Sequence, residues 1–349
     1  MYNRKRITTV VAVILFLLFA KAGIYCRNFI KSNLSSVSAR YQAASVPVKD
    51  ILKLTENFEN NPYFNLPDIT LWNLNNYETV FNKMTNITSK TNVIEVFGDM
   101  SQVMPMKFIQ GNYIYSFDPK GCVLDTQTAY NLFGTTDVMG NIVVWDEKEY
   151  IVRGVIRAKE EMMLIQISEE GHLYQNVEAV YGEGEDSDSP DDQGKLFEEL
   201  LAQGGLPRPD AVIDGDVISK LLGLIYLLPI WIVIIHMGFY CVKRVYHIKK
   251  PIIYDMAFSI AVVLILILLI RITDFGIYIP AQFIPTKWSD FDFYIDKRKE
   301  ISDTLNRINS VKLMPKDMLR NRYALTCVTA TACSMIILII LRPRIRKKG

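Results

Sequence analysis

Three histidines, five cysteines and thirty-seven carboxylates are the side chains of this chain that could do acid–base, nucleophilic or metal chemistry. His172 lies in a polar stretch, His236 at the end of an apolar run and His247 in a basic one, so nothing in their spacing brings them together. There is no HExxH or CxxC pair, no glycine-rich phosphate loop and no GxSxG elbow. The spacings demanded by metal hydrolysis, thiol redox chemistry, phosphoryl transfer and serine acylation are therefore missing. The run "GEGEDSDSPDDQG" (182–194) is dense in carboxylates, but it lacks the regular spacing of a calcium loop and reads as a flexible acidic loop. We expect no catalytic centre, no cofactor and no metal site.

The elements that hold these residues are set by hydropathy. Half of the 349 residues are hydrophobic and the mean hydropathy is +0.14, high for a chain with no membrane segment. Four apolar runs are long enough to cross about 30 Å of hydrocarbon as helices: 7–24, 218–240, 252–270 and 323–341. The first follows Arg4-Lys5-Arg6. It reads as a retained anchor. The alternatives are a signal peptide, for which "FAKAGIYC" offers only a lysine-interrupted cleavage site, and a lipidated Cys26.

Lysine and arginine orient the spans. Segment 1–6 holds three, 241–250 holds four and 342–349 holds five, whereas 271–322 holds ten diluted by seven acids. This predicts a cytoplasmic N-terminus (1–6), link (241–251) and basic tail (342–349), with 25–217 and 271–322 outside. The net charge of +2 sits at the membrane edges and gives no reason to invoke nucleic acid. Cys241, Cys327 and Cys333 are in or beside spans; only Cys26 and Cys122 lie on the outer side, and we do not expect them to pair.

Within 25–217, residues 25–45 read as a helical stalk. Helices are expected over 46–60, 76–88 and 195–205, and strands over 91–99, from Cys122, over 160–167 and over 176–182. Between them lies "CVLDTQTAYNLFGTTDVMGNIVVWDEKEYIVRGVI" (122–156). Asp125 or Thr126 caps a short helix that Gly134 ends, Gly140-Asn141 turns the chain, and two β-branched runs form a hairpin. The fold class is thus a membrane protein with four transmembrane helices. An extracytoplasmic α+β domain, mainly antiparallel, lies between the first and second spans. In the second outer loop, Ile295, Ile301, Leu305 and Ile308 mark an amphipathic helix, and Trp288, Phe291, Phe293 and Tyr294 suit a membrane interface.

This order resembles the MacB-like and FtsX-like ABC transporter permeases. The resemblance rests on the topology over 7–343 and on the motif over 90–160. There "LFG", "MGN" and "YIVRGVI" follow one another as in that family's periplasmic core domain. It implies a permease-like subunit of the bacterial cell membrane that is not itself an enzyme. ATP-driven motion of a separate cytoplasmic ATPase would be transmitted to the external domain to extrude a peptide, lipid or antimicrobial substrate. It also implies a dimer with itself or a second permease, embedded in membrane lipid. The ATPase contact would fall on Lys243, Arg244, Val245, Tyr246 and Ile248, and Pro229 would kink the second span. The link "YCVKRVYHIKKPIIYDM" is shorter and more basic than the family's coupling segment, and Pro251 interrupts it. The alternative is a non-transporting membrane sensor or scaffold whose external domain binds an envelope component. A membrane-anchored hydrolase is the third reading.

Overall fold

The computed structural model describes residues 2–59, 66–182, 192–246 and 283–346, except 286 and 288–291, together with positions 260, 263 and 267. The chain divides into two units: a helical one (Met1–Ser32, Val217–Ile284, Leu319–Gly349) and an α+β one (Asn33–Asp216, Pro285–Met318).

Among the described residues of the helical unit, three helices are long and apolar enough to cross a membrane. They are α1 (Tyr2–Asn33), α5 (Gly215–Tyr246) and α7 (Pro315–Arg346), numbered with the helices introduced below. The fourth expected span, 252–270, lies outside the described residues apart from isolated positions. α1 and α7 run antiparallel. Phe29 stacks on Tyr323 with ring centroids 4.1 Å apart, and the Cys327 thiol donates to the Gly23 carbonyl at 3.6 Å. A Cβ at Gly23 would stand at ordinary contact distance, 3.4 Å, from the Tyr226 Cβ of α5.

The α+β unit is built on a ten-stranded sheet. Its strands are β1 (Val37–Arg40), β3 (Asp68–Asn82), β4 (Thr88–Phe97), β5 (Phe108–Gly111), β6 (Gly121–Asp125), β7 (Ile142–Trp145), β8 (Lys148–Ile156), β9 (Met162–Gln166), β11 (Asn176–Val180) and β12 (Ala211–Asp214). β2 (Val46–Pro47) pairs separately with β10 (Leu173–Tyr174). The order is β12-β1-β11-β3-β4-β9-β6-β8-β5, antiparallel except at β4/β9 and β6/β8. β7 bridges β8 and β3, so six strands close into a ring: β3-β4-β9-β6-β8-β7. All six feed one apolar cluster that includes Val80, Val93, Leu124, Val143, Val152 and Met163, and Ala129 and Leu132 of α3 (Thr126–Phe133) complete it. The alternate side chains Ile94, Val123 and Leu164 point the other way into a second cluster, as the two-residue period of a strand requires. α2 (Val48–Glu59) and α4 (Gln193–Gln203) cover β1, β11 and the start of β3 through a third, built on Leu54, Phe197 and Leu201.

Several expectations hold. Asp125 caps α3 through the amides of Gln127 and Thr128, and Gly134 ends it with φ of 71°. Gly140 also has positive φ, 81°, while its amide bonds the Val152 carbonyl. The hairpin turn is only Asp146-Glu147, both left-handed, the turn that matches strand twist. Two readings are corrected. Residues 76–88 are not a helix: Glu78 to Phe81 pair with Thr91 to Thr88 of β4 beyond a bulge at Asn75/Glu78, because Thr79, Val80 and Phe81 favour a pleated, half-buried surface. Nor does the stalk helix reach residue 45. It ends at Asn33, and Val37–Arg40 is a strand paired on both sides, with β11 and with β12. The hydrogen bonds of two neighbours outweigh the modest helix propensity of "SSVSAR". Cys26 and Cys122 are both free, and burial pushes the Cys122 thiol well above its ordinary range.

Candidate functional site

Four ionised side chains of the α+β unit lie together with almost no access to water: Arg40, Glu178, Lys316 and Asp317, each between 0 and 2 % exposed. Local rules place each of them. Arg40 is the last residue of β1, and Glu178 is the middle residue of β11, in register with Ser38. Lys316 and Asp317 lie in the first turn of α7, which Pro315 opens at the position where a missing N–H costs nothing. The Asp317 carboxylate accepts the Met314 amide at 3.2 Å, so the acid also caps its own helix and meets the positive end of its dipole.

The hydrogen bonding is saturated. Glu178 Oε1 accepts from Arg40 Nη1 at 2.8 Å and from Trp72 Nε1 at 3.2 Å. Its Oε2 accepts from Ser36 Oγ at 2.9 Å, Ser38 Oγ at 2.7 Å and Lys316 Nζ at 2.8 Å. Arg40 grips Asp317 with both arms of its fork, Nε to Oδ2 at 3.0 Å and Nη2 to Oδ1 at 2.9 Å, and its guanidinium sits 5.3 Å from the centre of the Trp72 ring. Lys316 spends its remaining donors on Ser36 Oγ at 2.7 Å and the Gln102 carbonyl. Burial by itself would lower the Arg40 pKa, but Glu178 and Asp317 outweigh it and hold the guanidinium charged beyond its ordinary value. Two cations meet two anions, and each finds partners. That is the condition under which buried charge is tolerated.

Ser36 gives this network its position in the chain. Its hydroxyl bonds Glu178 and Lys316, and its carbonyl accepts the Gly215 amide at 3.2 Å. A Cβ on Gly215 would lie 2.0 Å from the Leu34 carbonyl oxygen, so only glycine lets these backbones come so close. α1 ends three residues before Ser36, α5 starts at Gly215 and α7 starts one residue before Lys316. Three of the four passages of the chain out of the α+β unit are thus tied at one point of it; the fourth, at Ile284–Pro285, is not among them.

The residues expected to carry function lie elsewhere. Lys243, Arg244, Val245 and Tyr246 form the last turns of α5, whose helix runs through Tyr246. Ile248 and Pro251 lie outside the described residues. Pro229 is inside α5, and Gly134 and Gly140 have open space around them, which leaves them a backbone role. His172 bonds Glu95 at 3.0 Å, His236 is on α5 and His247 lies outside the described residues, so the described histidines do not converge. The acidic run expected to be a loop lies outside them from 183 to 191. Sequence reasoning missed all four members of the buried network. One signal was available: Arg40 and Glu178 are charges within short runs, "VSAR" and "NVEAV", whose neighbours are small or apolar.

No family model matches the chain, and no curated protein matches it. Three solved structures are similar to part of it. The periplasmic region of MacB from Actinobacillus actinomycetemcomitans is 14 % identical, with TM-score 0.42, over 54 % of this chain and 93 % of that one. The extracellular domain of the noncanonic ABC-type transporter YknZ from Gram-positive bacteria is 16 % identical, with TM-score 0.38, over 50 % and 96 %. A domain of a Porphyromonas gingivalis protein described as a permease is 13 % identical, with TM-score 0.33, over 48 % and 83 %.

Proposed function

We propose that this chain is a permease-like membrane subunit of an ABC transport system of the MacB-like and FtsX-like kind. It crosses the membrane four times, with both ends and the 241–251 link in the cytoplasm and the α+β unit outside. A separate ATPase binds at Lys243, Arg244, Val245, Tyr246 and Ile248. The chain carries that ATPase's motion outward along its helices, acting as a dimer with itself or a second permease. The observation that carries this reading is the convergence at Ser36. The helix ends that leave the α+β unit are joined to one another and to β11 by buried ion pairs and backbone bonds, so an axial shift of one helix must move the sheet or break the network. A passive anchor has no need of charges so placed.

The test is purification of the full chain from its native membranes in mild detergent. We expect an ATPase to come with it, and Val245→Asp combined with Tyr246→Asp to release that ATPase while leaving the chain folded. A chain that arrives without any nucleotide-binding partner, or a double variant that retains it, favours a sensor or scaffold instead.

A further inference from the structure

The helix α6 (Asp292–Ser310) has two faces of opposite chemistry. Asp296, Lys299, Asp303 and Arg307 turn towards Arg208 and Asp210, which precede β12, and together they line a groove of about 740 Å³. All four acids of the helix, Asp292, Asp296, Glu300 and Asp303, lie on that half of its circumference at 3.6 residues per turn. On the other half Tyr294, Ile301, Leu305 and Ile308 form a single stripe. Tyr294 is 55 %, Ile301 41 % and Leu305 53 % exposed, and neighbouring Ile295 is 68 % exposed. Arg298 borders the stripe. Among the described residues, no other helix of the α+β unit leaves so regular an apolar row uncovered.

We propose that this row lies in the surface of the lipid bilayer, at the boundary between headgroups and acyl chains. Chain continuity identifies the occupant. Four residues separate Ser310 from Pro315, where α7 begins, and α7 is long and apolar enough to cross a membrane. At about 3.5 Å per residue the end of α6 is held within roughly 18 Å of the start of α7, and the apolar run 323–341 begins about 12 Å further along that helix. The composition fits the same place: apolar side chains on one face, acids collected on the other, an arginine at the border to meet lipid phosphate, and a tyrosine ring suited to the headgroup level. A second protein is a poorer fit, because a row of four side chains falls short of the roughly 800 Å² per partner of a stable interface. The inference rests on α7 being a membrane span and does not depend on the ATPase.

The test uses the full chain in vesicles of phosphatidylcholine and phosphatidylglycerol, with and without bromine at mid-chain. Leu305→Trp, and Ile301→Trp as a second variant should the first not fold, are compared with Asp303→Trp on the groove face. After subtraction of the parent's emission, we expect bromolipid to cut the added fluorescence about twofold at 305 or 301 and to leave it unchanged at 303. Equal quenching on both faces, or none on either, overturns the proposal. So does an unquenched Leu305→Trp accompanied by a Leu305→Asp variant that halves the mass of the purified particle, which would make the row a protein interface. Loss of the ATPase on purification leaves these outcomes unaffected, so the two readings fail separately.

Discussion

At 2.8 Å the Lys316–Glu178 pair is no shorter than the Lys83–Glu149 pair at 2.6 Å, yet the two are different objects. In the first, both side chains are at most 2 % exposed; in the second, 47 % and 51 %. Lys83, one residue past β3, and Glu149 of β8 reach each other across β7, which pairs with both strands, and water can replace either partner. Lys316 and Glu178 are 138 residues apart, and Arg40 and Asp317 are 277 apart. Water has no route to replace a lost member. The distance between charges therefore says little about what a pair does. Burial and the identity of the segments it joins say much more.

Four experiments would break or sharpen this contrast. Glu178→Leu should have the largest effect, because it leaves Arg40 and Lys316 buried without their shared anion. We expect a loss of about 3–5 kcal/mol, read from chemical unfolding of the full chain by tryptophan fluorescence. A loss below about 1 kcal/mol would make the buried and exposed pairs alike. Next, Lys316→Met and Glu178→Gln should each destabilise alone, and the double variant should cost less than the sum by roughly 1–3 kcal/mol, measured in a double-mutant cycle. Additive costs would mean that the two charges do not act as a pair.

The third concerns burial without an ion pair. Burial above all, and then the charge of Glu95, push the Tyr150 phenol up to about 12. Its folded pKa exceeds the unfolded value of about 10, so its contribution is fully present below pH 10 and is lost as pH rises through 12. Stability should fall over that window in the parent and less steeply in Tyr150→Phe. Identical profiles would remove Tyr150 as a cause. The smallest effect is expected from Lys83→Ala: under about 1 kcal/mol at low salt and nothing measurable at high salt.

How far the sequence reached follows from the range of the forces involved. The stretch from Asp125 to Ile156 was legible almost residue by residue, because caps, left-handed glycines and a two-residue hairpin are decided by near neighbours. Residues 76–82 were misread, because "NYETVFN" takes its conformation from Thr88–Thr91 across the ladder and not from itself. The buried network was illegible for a stronger reason. Ser36 and Arg40, Glu178, and Lys316 and Asp317 lie on three separate stretches, and no local pattern announces that a lysine in "MPKDM" will reach a glutamate in "NVEAV". The first turns of α7 were taken for loop, because Lys316, Asp317, Arg320 and Arg322 make them too polar to resemble a span. That polarity marks the part of the helix that docks by charge.

The separations within the network also set an order of assembly. A chain is made from its N-terminus, so Arg40 and Glu178 are synthesised long before Lys316 and Asp317. The β3–β4 hairpin and the six-strand ring need nothing beyond residue 166 and can form early. Until residue 317 has been made, Arg40 lacks one of its two anions and Glu178 one of its two cations. The last described helix therefore completes the joint, and a chain cut short before it would leave Arg40 and Glu178 with only each other where the finished protein gives each a second partner of opposite charge. In this fold the buried ion pairs are complete only once the last described helix has been made.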